Sequence, residues 1–273
     1  MPPDAIALAF QHACAAELAA LKAGNVHRFS PGHGMEVGHF ERAADAAAPF
    51  IAAAGERMGA RIEGAVAASL AATGLNTNLG IVLLCAPLAV AAERGGPLRD
   101  RLHAALAELD ASDAQATFRA IAQANPGGLG RHESHDVAAP PRIGLIQAMT
   151  LAAGRDRIAR QYVSGFTDVF ERGLPRLDSL AHAEPEARAE AVHLGFLAAF
   201  PDSHIARKFG PEVAEAVRRE AAEVALVVDF TAPAAERHPP LLAFDQALKQ
   251  RGLNPGTTAD LTVATLFAAA LSP

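Results

Sequence analysis

Three short segments carry the residue types from which a site for a phosphorylated small molecule can be built. They read Lys22-Ala23-Gly24-Asn25-Val26-His27-Arg28, Gly74-Leu75-Asn76-Thr77-Asn78-Leu79-Gly80 and Asn254-Pro255-Gly256-Thr257-Thr258-Ala259-Asp260. Each falls at a helix end in the pattern described below. A helix start presents unpaired backbone N–H groups and the positive end of a dipole, which suits phosphate. Lys22 and Arg28 add cations beside Gly24 and Asn25, and His33 follows on the same loop. Local turns and caps account equally well for any one segment. Their joint occurrence favours a polyphosphate site.

Glu17 is the most telling single residue. At 100° per residue it projects between Phe10 and Leu21, on the apolar face of its own helix. A carboxylate there must be paired, hydrogen-bonded, metal-bound or neutral. It is therefore read as a general base or metal ligand, against a buried salt bridge to a core arginine. Asp260 lies on the apolar stripe of Val263, Phe267 and Leu271, and together with Thr257 and Thr258 it has the pattern of a capping box. Two hydroxyls and a carboxylate at a helix start also fit a magnesium-bound phosphate. Either Asn76 or Thr77 can cap the next helix, and the Asn76-Thr77-Asn78 element sets amides where a ligand can meet the bundle interior. His132-Glu133-Ser134-His135-Asp136 departs from the zinc signature H-E-x-x-H, because its second histidine comes one position early. In a loop, Glu133 can still offer oxygen to Mg²⁺ or stay solvated. Asp202, His204, Arg207 and Lys208 form a further polar cluster, with Asp202 expected as an N-cap.

The elements that must position these residues read as helices. The spacing predicts them over 4–22, 40–54, 56–73, 98–109, 114–124, 143–153, 155–172, 186–200, 203–209, 211–228, 241–251 and 258–271. The very apolar segment from Leu79 to Leu88 is expected at the centre of the bundle, and Val224 to Phe230 is the only stretch that resembles a strand. Asn125-Pro126-Gly127-Gly128 opens a polar loop. No repeat or linker divides the 273 residues, so a single all-α catalytic domain over 1–273, with a polar pocket at helix ends, is expected.

Composition agrees. Apolar residues make up 51% and aromatics 5%, with no Trp, so Ala and Leu must fill closely packed helices. A net charge of −6 argues against nucleic acid as a partner. Cys14 and Cys85 fall in apolar helical runs and read as buried hydrophobes in a reducing compartment. The run Leu79 to Ala92 contains Pro87 and is shorter than the roughly 20 residues of a membrane span. No signal peptide is apparent, and a soluble cytoplasmic protein is expected.

At the three segments the chain resembles the triphosphoribosyl-dephospho-CoA synthases, which make the prosthetic-group precursor of citrate lyase and malonate decarboxylase. The family's lysine-proline-glycine-leucine-valine segment is similar to Lys22-Ala23-Gly24-Asn25-Val26, with a Gly-His pair following at Gly32-His33. Its asparagine-threonine-histidine-lysine-glycine segment is similar to Asn76-Thr77-Asn78-Leu79-Gly80, and its serine-proline-glycine-glycine-serine-alanine-aspartate segment to Asn254 through Asp260. Here Asn78-Leu79 replaces the family's histidine-lysine pair, Ala23 its proline and Thr257 its second glycine, which marks a divergent member. Asp202-Ser203-His204 only loosely matches an asparagine-containing family turn.

The resemblance implies an all-α transferase that joins the triphosphoribosyl group of ATP to an acceptor hydroxyl and releases adenine. The acceptor is a phosphorylated small molecule such as dephospho-CoA, and Mg²⁺ is the implied cation. Glu17 and Asp260 would then serve as base or metal ligand. Lys22, Gly24, Asn25, Arg28, His33, Asn76, Thr77, Asn78, Gly256, Thr257 and Thr258 would hold phosphates, all converging on one Mg-nucleotide site. Other readings are a Mg-dependent nucleotide or ADP-ribose-like hydrolase, an enzyme of a pterin- or furan-type one-carbon cofactor pathway, and a non-catalytic phosphometabolite-binding protein. The sequence leaves the oligomeric state open, a homodimer included.

Overall fold

The computed structural model describes residues 1–125 and 143–272. These residues form α1 (Pro3–Ala19), α2 (Val37–Ile51), α3 (Met58–Thr73), α4 (Leu79–Glu93), α5 (Leu98–Ala107), α6 (Ala111–Ala124), α7 (Leu145–Ala152) and α8 (Arg157–Ser164). After a π-helical turn (Val169–Gly173) come α9 (Leu174–Asp178), α10 (Pro185–Ala199), α11 (Ser203–Phe209), α12 (Pro211–Ala225), α13 (Ala234–Gln250) and α14 (Gly256–Leu271). Among the described residues there is no sheet, only isolated bridges between His27 and Ser30 and between Gly32 and Met35. The protein is all-α, as its scarcity of strand formers dictates. Its chain divides into two compact units. The first comprises Met1–Ala13, His39–Thr167 and Phe267–Pro273; the second comprises Cys14–Gly38 and Asp168–Leu266.

The first unit is built on α4, whose residues from Leu79 to Ala92 are all buried. Pro87 interrupts this helix without breaking it. It has no N–H to offer the carbonyl four residues earlier, which is that of Leu83. The Tyr162 hydroxyl donates to that carbonyl at 2.6 Å. The chain's one tyrosine thus satisfies the acceptor that the proline leaves bare. Elsewhere in this unit α3 crosses α6 closely enough that a Cβ on Gly59 would lie 2.6 Å from the Asp113 Cα. The Asp113 carboxylate accepts the Gly59 N–H at 2.9 Å there.

In the second unit, α10, α11, α12 and α13 pack a core of Leu194, Leu197, Ile205, Val217, Leu241 and Leu248. Asp202 caps α11 by accepting from the His204 and Ile205 N–H groups, and Pro211 opens α12, both as the sequence indicates. Two elements differ from the expected helices. The helix expected over 155–172 stops at Ser164, because Gly165 takes a left-handed cap at φ 63°. The helix expected from 241 begins at Ala234 and runs through Pro239 and Pro240. Their missing N–H groups would have bonded the carbonyls of Ala235 and Glu236, residues exposed enough for water to take over. The helix expected to reach 228 ends at Ala225, so most of the stretch from Val224 to Phe230 is neither strand nor helix and Leu226 and Val227 are exposed in the turn beyond it. No single helix among the described residues is long and apolar enough to cross a membrane.

Candidate active site

The chain leaves α1 through a buried turn, from Lys22 to His27, in the second unit. Gly24 sits there at φ 83°, in the left-handed region, and its N–H donates to Asp245 Oδ1 at 2.8 Å. A Cβ on Gly24 would lie 2.7 Å from Pro255 Cδ and 3.0 Å from the Leu253 carbonyl oxygen. Asn25 Nδ2 donates to Asn254 Oδ1 across the same contact. The first and third sequence segments, more than 220 residues apart, therefore close on each other. Gly24→Ala is expected to cost about 2–4 kcal/mol, combining backbone strain with overpacking against atoms that cannot swing away. Equilibrium unfolding in urea measures it, and a loss below 1 kcal/mol would show that this contact is slack.

Inside the turn lies a buried ion pair. Glu17 is 4% exposed and Lys22 1%. The Lys22 ammonium pairs with Glu17 Oε1 and donates to the Val26 carbonyl at 2.9 Å. Burial pushes the Glu17 carboxyl up and the Lys22 ammonium down from their ordinary ranges, each partner's charge pulling against that shift. Asp260, half-buried on α14, lies close enough for its charge to act on Lys22.

Around this pair the turn is held by polar groups from α10 and α13. His193 Nε2 donates to Asn25 Oδ1 at 2.8 Å, leaving the Asn25 amide nitrogen for Asn254. His27 Nδ1 accepts the Phe29 N–H at 3.3 Å, so its Nε2 carries the proton and faces Asp245 Oδ1, also at 3.3 Å. Lys249 reaches Asp245 Oδ2 at 3.1 Å and the Ser30 carbonyl at 3.3 Å. On the α14 side, Asp202 Oδ2 accepts both the N–H and the hydroxyl of Thr258, at 2.8 and 2.7 Å. The start of α14 already has a carboxylate, an internal one.

Burial holds three of the histidines neutral. It lowers His27 and takes His193 well below its usual value. His204 is lowered to about 4 by burial first, then by the charges of Lys208, Arg207 and His33. A histidine whose folded value lies below its unfolded value binds more protons when unfolded, so stability falls as pH drops. The window opens near pH 6.5 and for His204 extends to about 4, a loss of about 3 kcal/mol from that residue alone. Urea midpoints at pH 7.5, 6 and 5 should therefore fall more steeply in wild type than in His204→Gln, the Glu17 and Asp202 carboxyls, which burial raises, contributing with the opposite sign in both. Equal slopes in the two proteins would contradict the neutral, buried state of the His204 ring.

The other expected site residues are distributed as follows. Arg28 is half-exposed, its guanidinium 4.8 Å above the Phe29 ring and 3.5 Å from Glu186. His33 Nε2 meets the Gly24 carbonyl at 2.8 Å. Thr257 is buried and Gly256 begins α14. Asn76, Thr77 and Asn78 belong to the first unit. There Asn76 Oδ1 accepts the Leu79 N–H at 3.3 Å, and Asn78 Nδ2 donates to Ser69 Oγ at 2.9 Å. Thr77 Oγ1 is buried without a partner among the described residues. Glu133, with the polar loop around it, lies outside the described residues. Among the described residues no group of three or more His, Cys, Asp or Glu side chains is set to hold a metal ion.

The sequence profile of the ATP:dephospho-CoA triphosphoribosyl transferase (CitG) family matches residues 3–273. The chain belongs to this family. It is a transferase enzyme of the triphosphoribosyl-dephospho-CoA synthase class, and ATP and dephospho-CoA are the substrates of that family. A crystal structure from Archaeoglobus fulgidus, of a protein described as a triphosphoribosyl-dephospho-CoA synthase, is similar to it with 27% sequence identity and a TM-score of 0.66. The similarity covers 83% of this chain and 96% of that one. No protein of curated function matches the sequence.

Several residues that build this part of the transferase escape a reading of the sequence alone. Asp245 and Lys249 are four apart on α13, an ordinary surface-pair spacing that gives no sign of the buried turn they hold. His193 is embedded in an apolar stretch of α10, and Asp202 reads as a simple cap. The one sequence signal available was the polar cluster at 202–208.

Proposed function

We propose that this transferase joins the triphosphoribosyl group of ATP to a hydroxyl of dephospho-CoA, and that 1–273 acts as one catalytic domain around the Lys22–Val26 turn. The closure of that turn on Leu253–Gly256, through Asn25 and Asn254, is the observation that supports this reading. Two of the three recognised segments meet there beside a desolvated carboxylate. The acceptor's 2′-hydroxyl oxygen forms a bond to C1′ of the ATP ribose as the C1′–N9 bond breaks. The hydroxyl proton leaves to a base and adenine departs with a proton gained at nitrogen. Displacement at an anomeric carbon develops oxocarbenium character, so the protein must fix geometry and manage two protons.

Glu17, with its carboxyl raised by burial, fits the base, and Asp260 is its alternative. Lys22 faces inward as the counter-charge of Glu17, which leaves Arg28 and His33 on the outer part of the loop as contacts for phosphate. Glu17 is already ion-paired, so a preassembled Mg²⁺ cage does not fit these residues. A single carboxylate from Asp260 fits a Mg²⁺ that arrives on the triphosphate, where it would neutralise phosphate charge. Incubation with Mg-ATP and dephospho-CoA should yield adenine and the triphosphoribosyl adduct by mass spectrometry. Adenine without adduct would indicate a hydrolase, and ATP binding without adenine a binding protein.

A further inference from the structure

His204 stands at the start of α11 with its Nε2 buried and without a hydrogen-bond partner among the described residues. An orphaned buried polar atom costs about 1–3 kcal/mol and is rare enough in folded proteins to need a reason. The ring is not loosely held. Its backbone N–H donates to Asp202 Oδ1 at 2.8 Å, while Asp202 Oδ2 binds the N–H and hydroxyl of Thr258 on α14. A Cβ on Gly256 would lie 3.1 Å from His204 Nδ1, so the glycine of the third segment is what lets the imidazole rest on the first turn of α14. One carboxylate and one glycine thus fix a ring whose buried Nε2 has no partner among the described residues.

We propose that His204 Nε2–H donates a hydrogen bond to a phosphate oxygen of a bound substrate, and that the atom has no partner among the described residues because its partner arrives with that substrate. The inference rests on the transferase reading and adds a residue to it. Charge favours an anionic acceptor, since Arg207, Lys208 and His33 all act on the ring. With a value of about 4 the imidazole is neutral at pH 7, protonated in only about one molecule in a thousand. It therefore meets an incoming phosphate as a neutral donor. The phosphate can be the triphosphate of ATP or the pyrophosphate of dephospho-CoA.

The experiment compares wild type, His204→Leu and His204→Gln for thermal stability of the unliganded protein and for affinity to Mg-ATP and to dephospho-CoA, each by calorimetry. Leucine removes the orphaned atom, so unliganded stability should be unchanged or higher, while affinity for one of the two ligands falls about tenfold or more. The ligand affected identifies the phosphate. Glutamine, whose amide nitrogen takes the place of Nε2, should bind within about threefold of wild type. A destabilised His204→Leu would mean that Nε2 has a structural partner such as a buried water, and would overturn the proposal. So would unchanged affinity for both ligands, or glutamine binding as poorly as leucine. Should leucine prevent folding, the glutamine variant alone decides, with a folded protein that does not bind counting against the proposal. Adenine release by the wild type is read separately. Its absence would sink the transferase reading while the binding arms still judge His204.

Discussion

Glu190→Gln should destabilise the protein by about 3–5 kcal/mol, the cost of stranding a buried cation. Glu190 is 1% exposed and Arg237 2%. Glu190 Oε2 accepts Arg237 Nε at 2.7 Å, while Oε1 accepts the Leu21 N–H at 3.1 Å and lies 3.0 Å from His238 Nε2. Glutamine can keep an oxygen toward Leu21 only by setting its amide nitrogen against the guanidinium, donor to donor. Arg237 would then rely on Glu184 and the Ala232 carbonyl, on the more exposed side. The effect should reach the candidate site, since Leu21 immediately precedes Lys22. Urea unfolding monitored by circular dichroism gives the number, and a loss under 1 kcal/mol would mean that the pair is solvated in solution. Replacing both partners with apolar residues, Glu190→Leu with Arg237→Met, should cost less than the single change, because no charge is then left buried.

The helices were legible because their signals are local. The unbroken apolar run of α4, the cap at Asp202 and the proline at the start of α12 all depend on near neighbours in sequence. Gly165 and the pair Pro239-Pro240 were misjudged at that level, since a left-handed cap ended one helix and exposed carbonyls let another continue. The site was legible in part. Glycine and asparagine marked the Lys22–Val26 turn and the approach to α14, and Glu17 betrayed its burial by its place on an apolar face. What hid the rest is that partner choice is a tertiary property. A core arginine was the bland partner for Glu17, yet Lys22, five residues on, pairs with it, and the buried arginine of this unit, Arg237, serves Glu190. Likewise the α14 start that seemed open to phosphate is met by Asp202, a cap whose second oxygen no local pattern reveals.

Glu17→Gln should reduce adenine release by a factor of about 10²–10⁴ if the carboxylate is the base that takes the acceptor's proton. The same change strands the Lys22 ammonium, which keeps only the Val26 carbonyl. A stability loss of about 3–5 kcal/mol is therefore expected, lessened if Lys22 sheds its proton, as its burial already favours. Lost activity in the single variant would be ambiguous between chemistry and folding. The double variant Glu17→Gln with Lys22→Met separates them. It removes both charges while roughly conserving volume, so stability should return to within about 1–2 kcal/mol of wild type. Activity should not return, because glutamine cannot accept the proton. If adenine release recovers together with stability, Glu17 acts only as a structural counter-ion and the base must be sought at Asp260. If neither recovers, the pair is required for the turn itself, and the turn's contact with Asn254 would have to be tested before any role in chemistry is assigned to Glu17.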